Sequence, residues 1–556
     1  MSEAPALSMP GAWFDELAAG GGSAEAVGFL LEGERARRLL LLRRLLDRLR
    51  ADGDLPGGAE AVDRSWKLLS AAARAQPAAA ELILMSPQVG SWLGHALRRL
   101  HGSSSGPPLR VDLGHLAAVA LAACVRAGLD ADTEIPVRDG VVPLPTLGVA
   151  RLNDSRSGGR GLGGTSSGDY GAAVARLRGP ALHLDDGRSA VEVRPLDRAG
   201  GSAWDALHVL TADAPSPAWT WLDDVDPYRD LDEPIAPQRL DDAEVEQWRR
   251  RFVEAVDQLT APPGRPGGLH VEQVRCIVPW NVDAAPGLPS AADYSASTGD
   301  AFGAMIVALP QDGASLAATM VHEFQHSKLG ALLHLFPLLE DSGREEFYAP
   351  WRSDPRHVTG LLHGAYAFTG VAGFWREHHA RTGSPEAAFR FAQRRLQARL
   401  VTRTLSTRAQ LTPVGRRLVR GLTRTLDGWL REPLPAVIRA RARAAVRRHR
   451  VEWRLRNLRS RPEERQALAL AFHAGGAPVP GSAFAPVLAV EPARAFTTRP
   501  EPSALADWLL EAVAQRPTYR PVLYRPERLA ALVEATGSPA RPADLHRLTA
   551  WLATRA

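Results

Sequence analysis

The chain has 556 residues, 45% of them hydrophobic and 23% charged, with a formal net charge of +5 and two cysteines. That length exceeds one small core and predicts about two to four domains, and the composition is that of a globular rather than a disordered protein. Cys124 and Cys276 are too far apart for a cysteine-rich zinc module or a clustered iron-sulfur motif; they suit a reducing cytoplasm, without a disulfide.

The opening MSEAPALSMPGAWFDEL has an early acid and neither a basic nor a continuous apolar stretch, so no secretory signal is expected. From Ala24 to about Gly128 the pattern is helical, with leucines on one face between the arginines of Glu34 to Arg50 and an Ala- and Leu-rich run from Trp66 to Met85. The richest apolar stretch, Leu116 to Val125, falls well short of the roughly twenty residues that span a bilayer, so no membrane partner is expected.

Between Ile135 and Leu222 the period shortens, with strand-like pieces at Ala181 to Leu184, Ala190 to Val193 and Leu207 to Leu210. Leu152 to Gly171 is rich in Gly, Ser and Asp. It contains formal matches to G-x-G-x-x-G (Gly159, Gly161, Gly164) and G-x-S-x-G (Gly164, Ser166, Gly168), but lacks the flanking strand and helix that either motif needs, so it reads as a loop.

A helix over Asp242 to Leu259 ends in APPGRPGG (Ala261 to Gly268), a linker or turn by composition. Val271 to Val278 and Phe302 to Leu309 read as buried strands, and Asp312 to Gly313 as the turn into a helix capped by Ser315. After Ser384-Pro385-Glu386, a capped helix start, the chain is expected to be mostly helical to about Phe472, with short helices such as Ala504 to Ala514 beyond.

The expected fold class is α+β, predominantly helical. Its regions are an N-terminal helical layer (1–130), a mixed region suited to peptide recognition (131–268), a metal-site core (269–380), an arginine-rich helical region (381–475) and a helical tail (476–556). Arg439 to Arg461 reads first as the solvated face of a long helix and second as a contact for an acidic peptide; the scarcity of interleaved aromatics argues against nucleic acid.

The chemistry is carried by MVHEFQHSKLGALL, Met320 to Leu333. His322 and His326 are four apart on a helix, about 40° around its axis, so two imidazoles leave one face and can share a cation. Glu323, about 100° from His322, stands beside a metal-bound group without having to be a ligand. This is the H-E-x-x-H pattern, and the metzincin extension fails because Leu329 and Leu332 occupy its Gly and His positions. His334 reads as a flank residue.

His363, in the apolar helix expected from Thr359 to Trp375, is the leading candidate for third ligand, against a satisfied core histidine; Asp354, Asp341 and Glu340 are the carboxylate competitors. Arg352 and Arg356, four apart in a Pro-punctuated segment, suit a bidentate grip on a carboxylate or an ion pair with Asp354 or Glu346.

In this order and spacing, HEFQHSKLGALL, YAPWRSDPR and GLLHGAYAF resemble the actinobacterial HExxH-domain family of peptide-modifying proteins, some of which are fused to radical SAM peptide maturases. The resemblance is specific over Val321 to Trp375 and looser over Gly140 to Gly148 and the N-terminal helices. It implies Fe(II) and 2-oxoglutarate as cofactors, β-hydroxylation of a residue in a ribosomally made precursor peptide, His322 and His326 as iron ligands, and Arg352 or Arg356 as the clamp on the cosubstrate carboxylate. The family uses two histidines and one carboxylate, and no acid here marks itself as that ligand. The chain lacks the Cys-x-x-x-Cys-x-x-Cys motif of the fused relatives, so it would act alone or beside a separate radical SAM maturase. Two rivals remain: a zinc hydrolase with Glu323 as general base, and a non-catalytic protein that binds a precursor peptide.

Overall fold

A computed structural model describes residues 8–51, 58–152, 169–196, 201–213, 217–230, 233–280, 294–340, 346–488, 501–537 and 540–554. The fold is predominantly helical α+β. It divides into two compact units, one of Met1–Pro337 with Gly373–His378, the other of Leu338–Ala372 with His379–Ala556. The two glycine-motif matches between Gly159 and Gly168 lie outside the described residues.

In the first unit the apolar run at Leu116 to Val125 lies within the helix Leu109–Ala127, buried on nearly every side and closed by Gly128, whose φ of 67° gives the left-handed turn a helix end favours. It packs on an antiparallel seven-stranded sheet in the order Ala190–Val193, Ala181–Asp185, Tyr170–Arg178, Ala131–Arg138, Val141–Leu144, Gly148–Arg151, Trp204–Ala206. Ala131–Arg138 alternates buried and less buried side chains, the period of a half-buried strand. Its turn into Val141–Leu144 is Asp139-Gly140, both at positive φ, the Asp-Gly hairpin signature.

A second sheet runs Ser295–Ala296, Ala304–Val307, Cys276–Pro279, Ala218–Leu222, His208–Ala212, with its three central strands parallel and its edges antiparallel. The parallel pair Ala218–Leu222 and Cys276–Pro279 is joined through the helix Asp242–Gln258, which packs on the helix Gly313–Leu335. This corrects the expected division at residue 268, because strands on both sides of it share one sheet. Of the two readings of APPGRPGG, linker or turn, the structure has a tightly packed turn: Gly267, at φ 93°, lies so close to the Phe374 amide that no side chain fits, and the Gly264 carbonyl accepts the Gly22 amide at 3.1 Å. The strand expected over Val271 to Val278 shortens to Cys276–Pro279 behind a single 3-10 turn, Val271–Gln273.

The second unit is mainly helical. Pro385–Arg408, Pro413–Arg431 and Pro502–Gln515 each begin with proline behind a side-chain cap, Ser384, Thr412 and Glu501, which accepts an amide two residues beyond the proline. The expected helix from Thr359 extends as Val358–Thr382, closed by Gly383 at φ 66°, so the expected boundary at 380 falls inside it. FYAPWRSDPR forms a small hairpin in which Phe347 pairs with Arg356.

Candidate metal centre

The helix Gly313–Leu335 follows the buried strand Ala304–Val307. Its N-cap is Asp312, whose Oδ1 accepts the Ser315 amide at 2.7 Å. The expected cap is thereby corrected: Asp312 alone takes the extended backbone of a cap (φ −145°), and Ser315 is its donor.

The helix is buried around most of its circumference. Val321, Phe324, Leu329 and Leu332 enter the core, Gln325 Nε2 donates to the Gly20 carbonyl at 2.8 Å, and Lys328 Nζ donates to the Gly21 carbonyl at 2.7 Å. Burial pushes the Lys328 ammonium down to about 7. Like Thr319, one turn before His322, both His322 and His326 are half-buried. Their Nε2 atoms face each other at 3.2 Å with the rings nearly perpendicular at 81°.

That separation can be tested against a metal. Two nitrogens about 2.1 Å from one ion stand roughly 3.0 Å apart at adjacent octahedral positions and about 3.4 Å apart in a tetrahedron. The observed 3.2 Å lies between the two, so the separation matches that of two nitrogens on one divalent ion. Among the described residues no group of three or more His, Cys, Asp or Glu side chains is placed to share an ion.

Glu323 is 1% exposed, with Oε1 4.0 Å from His322 Nε2. Ser295 Oγ donates to its Oε1 at 2.6 Å and Ser297 Oγ to its Oε2 at 2.7 Å. Both hydroxyls come from the sheet edge Ser295–Ala296 and the residue after it, where a two-residue spacing puts side chains on one face. Tyr294 stacks on Trp280 with ring centroids 4.4 Å apart, and its phenol is raised by burial, then by the charges of Asp230 and Glu323. Sequence reading missed both serines: the S-x-S spacing in YSASTGD is a legible signal, but its composition is that of a loop.

His334 Nδ1 lies 2.7 Å from Glu34 Oε1, a flank contact as expected. His363 lies in the second unit, within Val358–Thr382, and burial lowers its imidazole to about 4, so it is neutral at physiological pH. Arg352 Nε donates to Asp354 Oδ1 at 2.8 Å, and Arg356 Nε stands 3.6 Å from Asp354 Oδ2. Partial burial works against the Asp354 charge, but the Arg352 hydrogen bond and the two guanidinium charges outweigh it and hold the carboxyl below its ordinary range. Glu340 is exposed near Arg416, and Asp341 lies outside the described residues. The structure thus brings together His322, His326 and Glu323 in one unit, and Arg352, Arg356 and Asp354 in the other.

No family model matches the chain, and no curated protein matches it significantly.

Proposed function

We propose that this chain is a cytoplasmic Fe(II)- and 2-oxoglutarate-dependent enzyme that β-hydroxylates a residue of a ribosomally made precursor peptide, alone or beside a separate radical SAM maturase. The metal part of the reading is supported by the 3.2 Å convergence of His322 and His326 Nε2. The choice of hydroxylation over hydrolysis is supported by the resemblance over Val321 to Trp375, together with the fastening of Glu323 by two serine hydroxyls.

Bound iron would supply oxygen activation coupled to decarboxylation of the cosubstrate: peptide C–H, O2 and 2-oxoglutarate become peptide C–OH, succinate and CO2. His322 and His326 would hold the ion through their Nε2 lone pairs. Both Nε2 lone pairs must then face the ion, so each neutral ring would carry its proton on Nδ1. Glu323, with each oxygen already accepting a hydroxyl and Oε1 4.0 Å from His322 Nε2, would orient whatever is bound beside that nitrogen and does not swing out to collect a proton. Arg352 or Arg356 would exchange Asp354 for a cosubstrate carboxylate, as the resemblance implies.

One observation favours a second reading, a zinc peptide hydrolase: Glu323 Oε1 at 4.0 Å from His322 Nε2 is also where a base for a zinc-bound water would stand. Anaerobic loading with Fe(II) or Zn(II), followed by 2-oxoglutarate, O2 and the peptide encoded beside the gene, separates the two. Gain of one oxygen with succinate release supports hydroxylation. Cleavage with zinc alone supports the hydrolase, and peptide binding with neither product supports a non-catalytic binder.

A further inference from the structure

The segment that supplies Ser295 and Ser297 continues as a loop to Gly303, and that loop is fastened from two sides. On one side it meets the metal helix: Gly330 lies against the Gly299 backbone, and Ser327 Oγ accepts the Gly303 amide at 3.3 Å. On the other it meets the N-terminal helices through Asp300. Arg37 Nη2 donates to Asp300 Oδ1 at 2.6 Å, Arg98 Nη1 donates to Oδ2 at 2.9 Å, and Arg38 Nη2 donates to the Asp300 carbonyl at 3.2 Å.

Arg38 is itself fully buried and fixed by the carbonyls of Leu84 and Ser86. Gly90 and Gly94, one turn apart on Pro87–Leu100, lack the side chains that would collide with the Asp300 carbonyl and carboxylate. Burial opposes the Asp300 charge, but the hydrogen bonds from Arg37 and Arg98 outweigh it, so the carboxyl stays below its ordinary range and ionised. So much fixation at Asp300 is more than a surface connection needs, and three residues earlier in the chain Ser297 holds Glu323.

We infer that Asp300 is a positioning residue of the metal centre: clamped between Arg37 and Arg98, it fixes the loop whose Ser297 holds Glu323 beside the histidine pair. The inference rests on the metal reading of His322 and His326 but not on the choice between hydroxylation and hydrolysis. It assigns Asp300 no contact with metal or substrate.

The test is Co(II) binding to the full chain, read by the visible absorption of the bound ion. The variants are Ser297→Ala, Asp300→Asn and their combination, with Asp205→Asn as the structural control. Asp205 forms a comparable pair with Arg151 at 2.6 Å, the two side chains 16% and 22% exposed against 18% and 24% for Asp300 and Arg37, in the seven-stranded sheet rather than the sheet that carries this loop. Groups that orient metal ligands typically contribute 10- to 100-fold to affinity. Ser297→Ala and Asp300→Asn are each expected to raise the Co(II) dissociation constant about tenfold, at the lower end of that range. Because both act through one contact, the double variant should fall well short of the roughly hundredfold product of the two.

Asp300→Glu, which keeps the charge between the arginines, should recover most of the affinity, and Asp205→Asn should bind as the wild type does. Should Asp300→Asn fail to fold, Arg98→Gln, at the more exposed end of the clamp, takes its place with the same expectation. Wild-type affinity in Asp300→Asn, or multiplicative effects in the double variant, would overturn the inference. A wild-type chain that binds no Co(II) would overturn the metal reading together with it.

Discussion

Glu323→Gln separates a fixed acceptor from a proton carrier. The substitution keeps the volume of a side chain that is 1% exposed. Its amide oxygen can still accept one serine hydroxyl, and its NH2 can donate to the other, whose oxygen has lone pairs to spare. Both contacts persist in neutral form while one serine O–H loses its acceptor, so the folded chain should lose about 1–2 kcal/mol. Removing the serines instead, Ser295→Ala with Ser297→Ala, leaves a buried carboxylate without two charge-assisted hydrogen bonds of 2.6 and 2.7 Å. At about 1.5–3 kcal/mol each, that double variant should lose roughly 3–6 kcal/mol. Urea unfolding followed by tryptophan fluorescence measures both. The kinetic side is sharper: if Glu323 only orients its surroundings, Glu323→Gln retains turnover within about tenfold, whereas loss of a general base costs about 10²–10⁴-fold. A glutamine variant that unfolds more easily than the double serine variant, or whose turnover falls a hundredfold or more, would show that Glu323 is not a fixed acceptor.

Three further outcomes follow from the packing. Asp112, fully buried, accepts Tyr228 Oη at 2.8 Å and Arg99 Nη1 at 2.6 Å, with His95 Nε2 at 3.2 Å; Asp112→Ala strands all three and should cost about 3–5 kcal/mol in urea unfolding, against roughly 1 kcal/mol for Tyr228→Phe. Burial lowers His115 to about 3 despite the nearby Asp112 charge, so below pH 6.5 the unfolded chain takes up a proton that the folded chain refuses. The stability this contributes is present above pH 6.5 and lost on acidification toward pH 3, at about 1.4 kcal/mol per pH unit relative to His115→Phe, measurable as the difference between the two denaturation series. In the second unit the Trp351 ring lies directly on Gly364, so Gly364→Ala should destabilise by about 1–3 kcal/mol in thermal unfolding even though alanine favours helix.

The helices were legible because leucine and alanine recur at helical spacing and because Ser384-Pro385 marks a helix start that the structure keeps. The sheets were less so. Tyr170–Arg178 (YGAAVARLR) has alanine on both faces and arginine only at its end, a pattern whose hydrophobic contrast is weak although its burial alternates from Ala172 onward. The division placed at residue 268 failed for a related reason: proline and glycine punctuate linkers and tight packed turns alike, and only the close approach of Gly267 to Phe374 tells them apart.

On the helix Gly313–Leu335, the four-residue spacing makes the facing of the two histidines legible directly, since it follows from helix geometry alone. The partners of Glu323 did not follow. Ser295 and Ser297 are brought there by the pairing of a two-residue edge strand with Ala304–Val307, a tertiary fact that no local pattern announces. Asp300 is likewise defined by arginines more than two hundred residues earlier in the chain.

That His322 and His326 chelate one divalent ion is tested by calorimetric titration of the metal-free chain with Co(II), Fe(II) and Zn(II). The expected result is one ion per chain, lost in either His322→Ala or His326→Ala while the fold persists. Binding that survives both substitutions, or a wild-type chain that takes up none of the three ions, would contradict it.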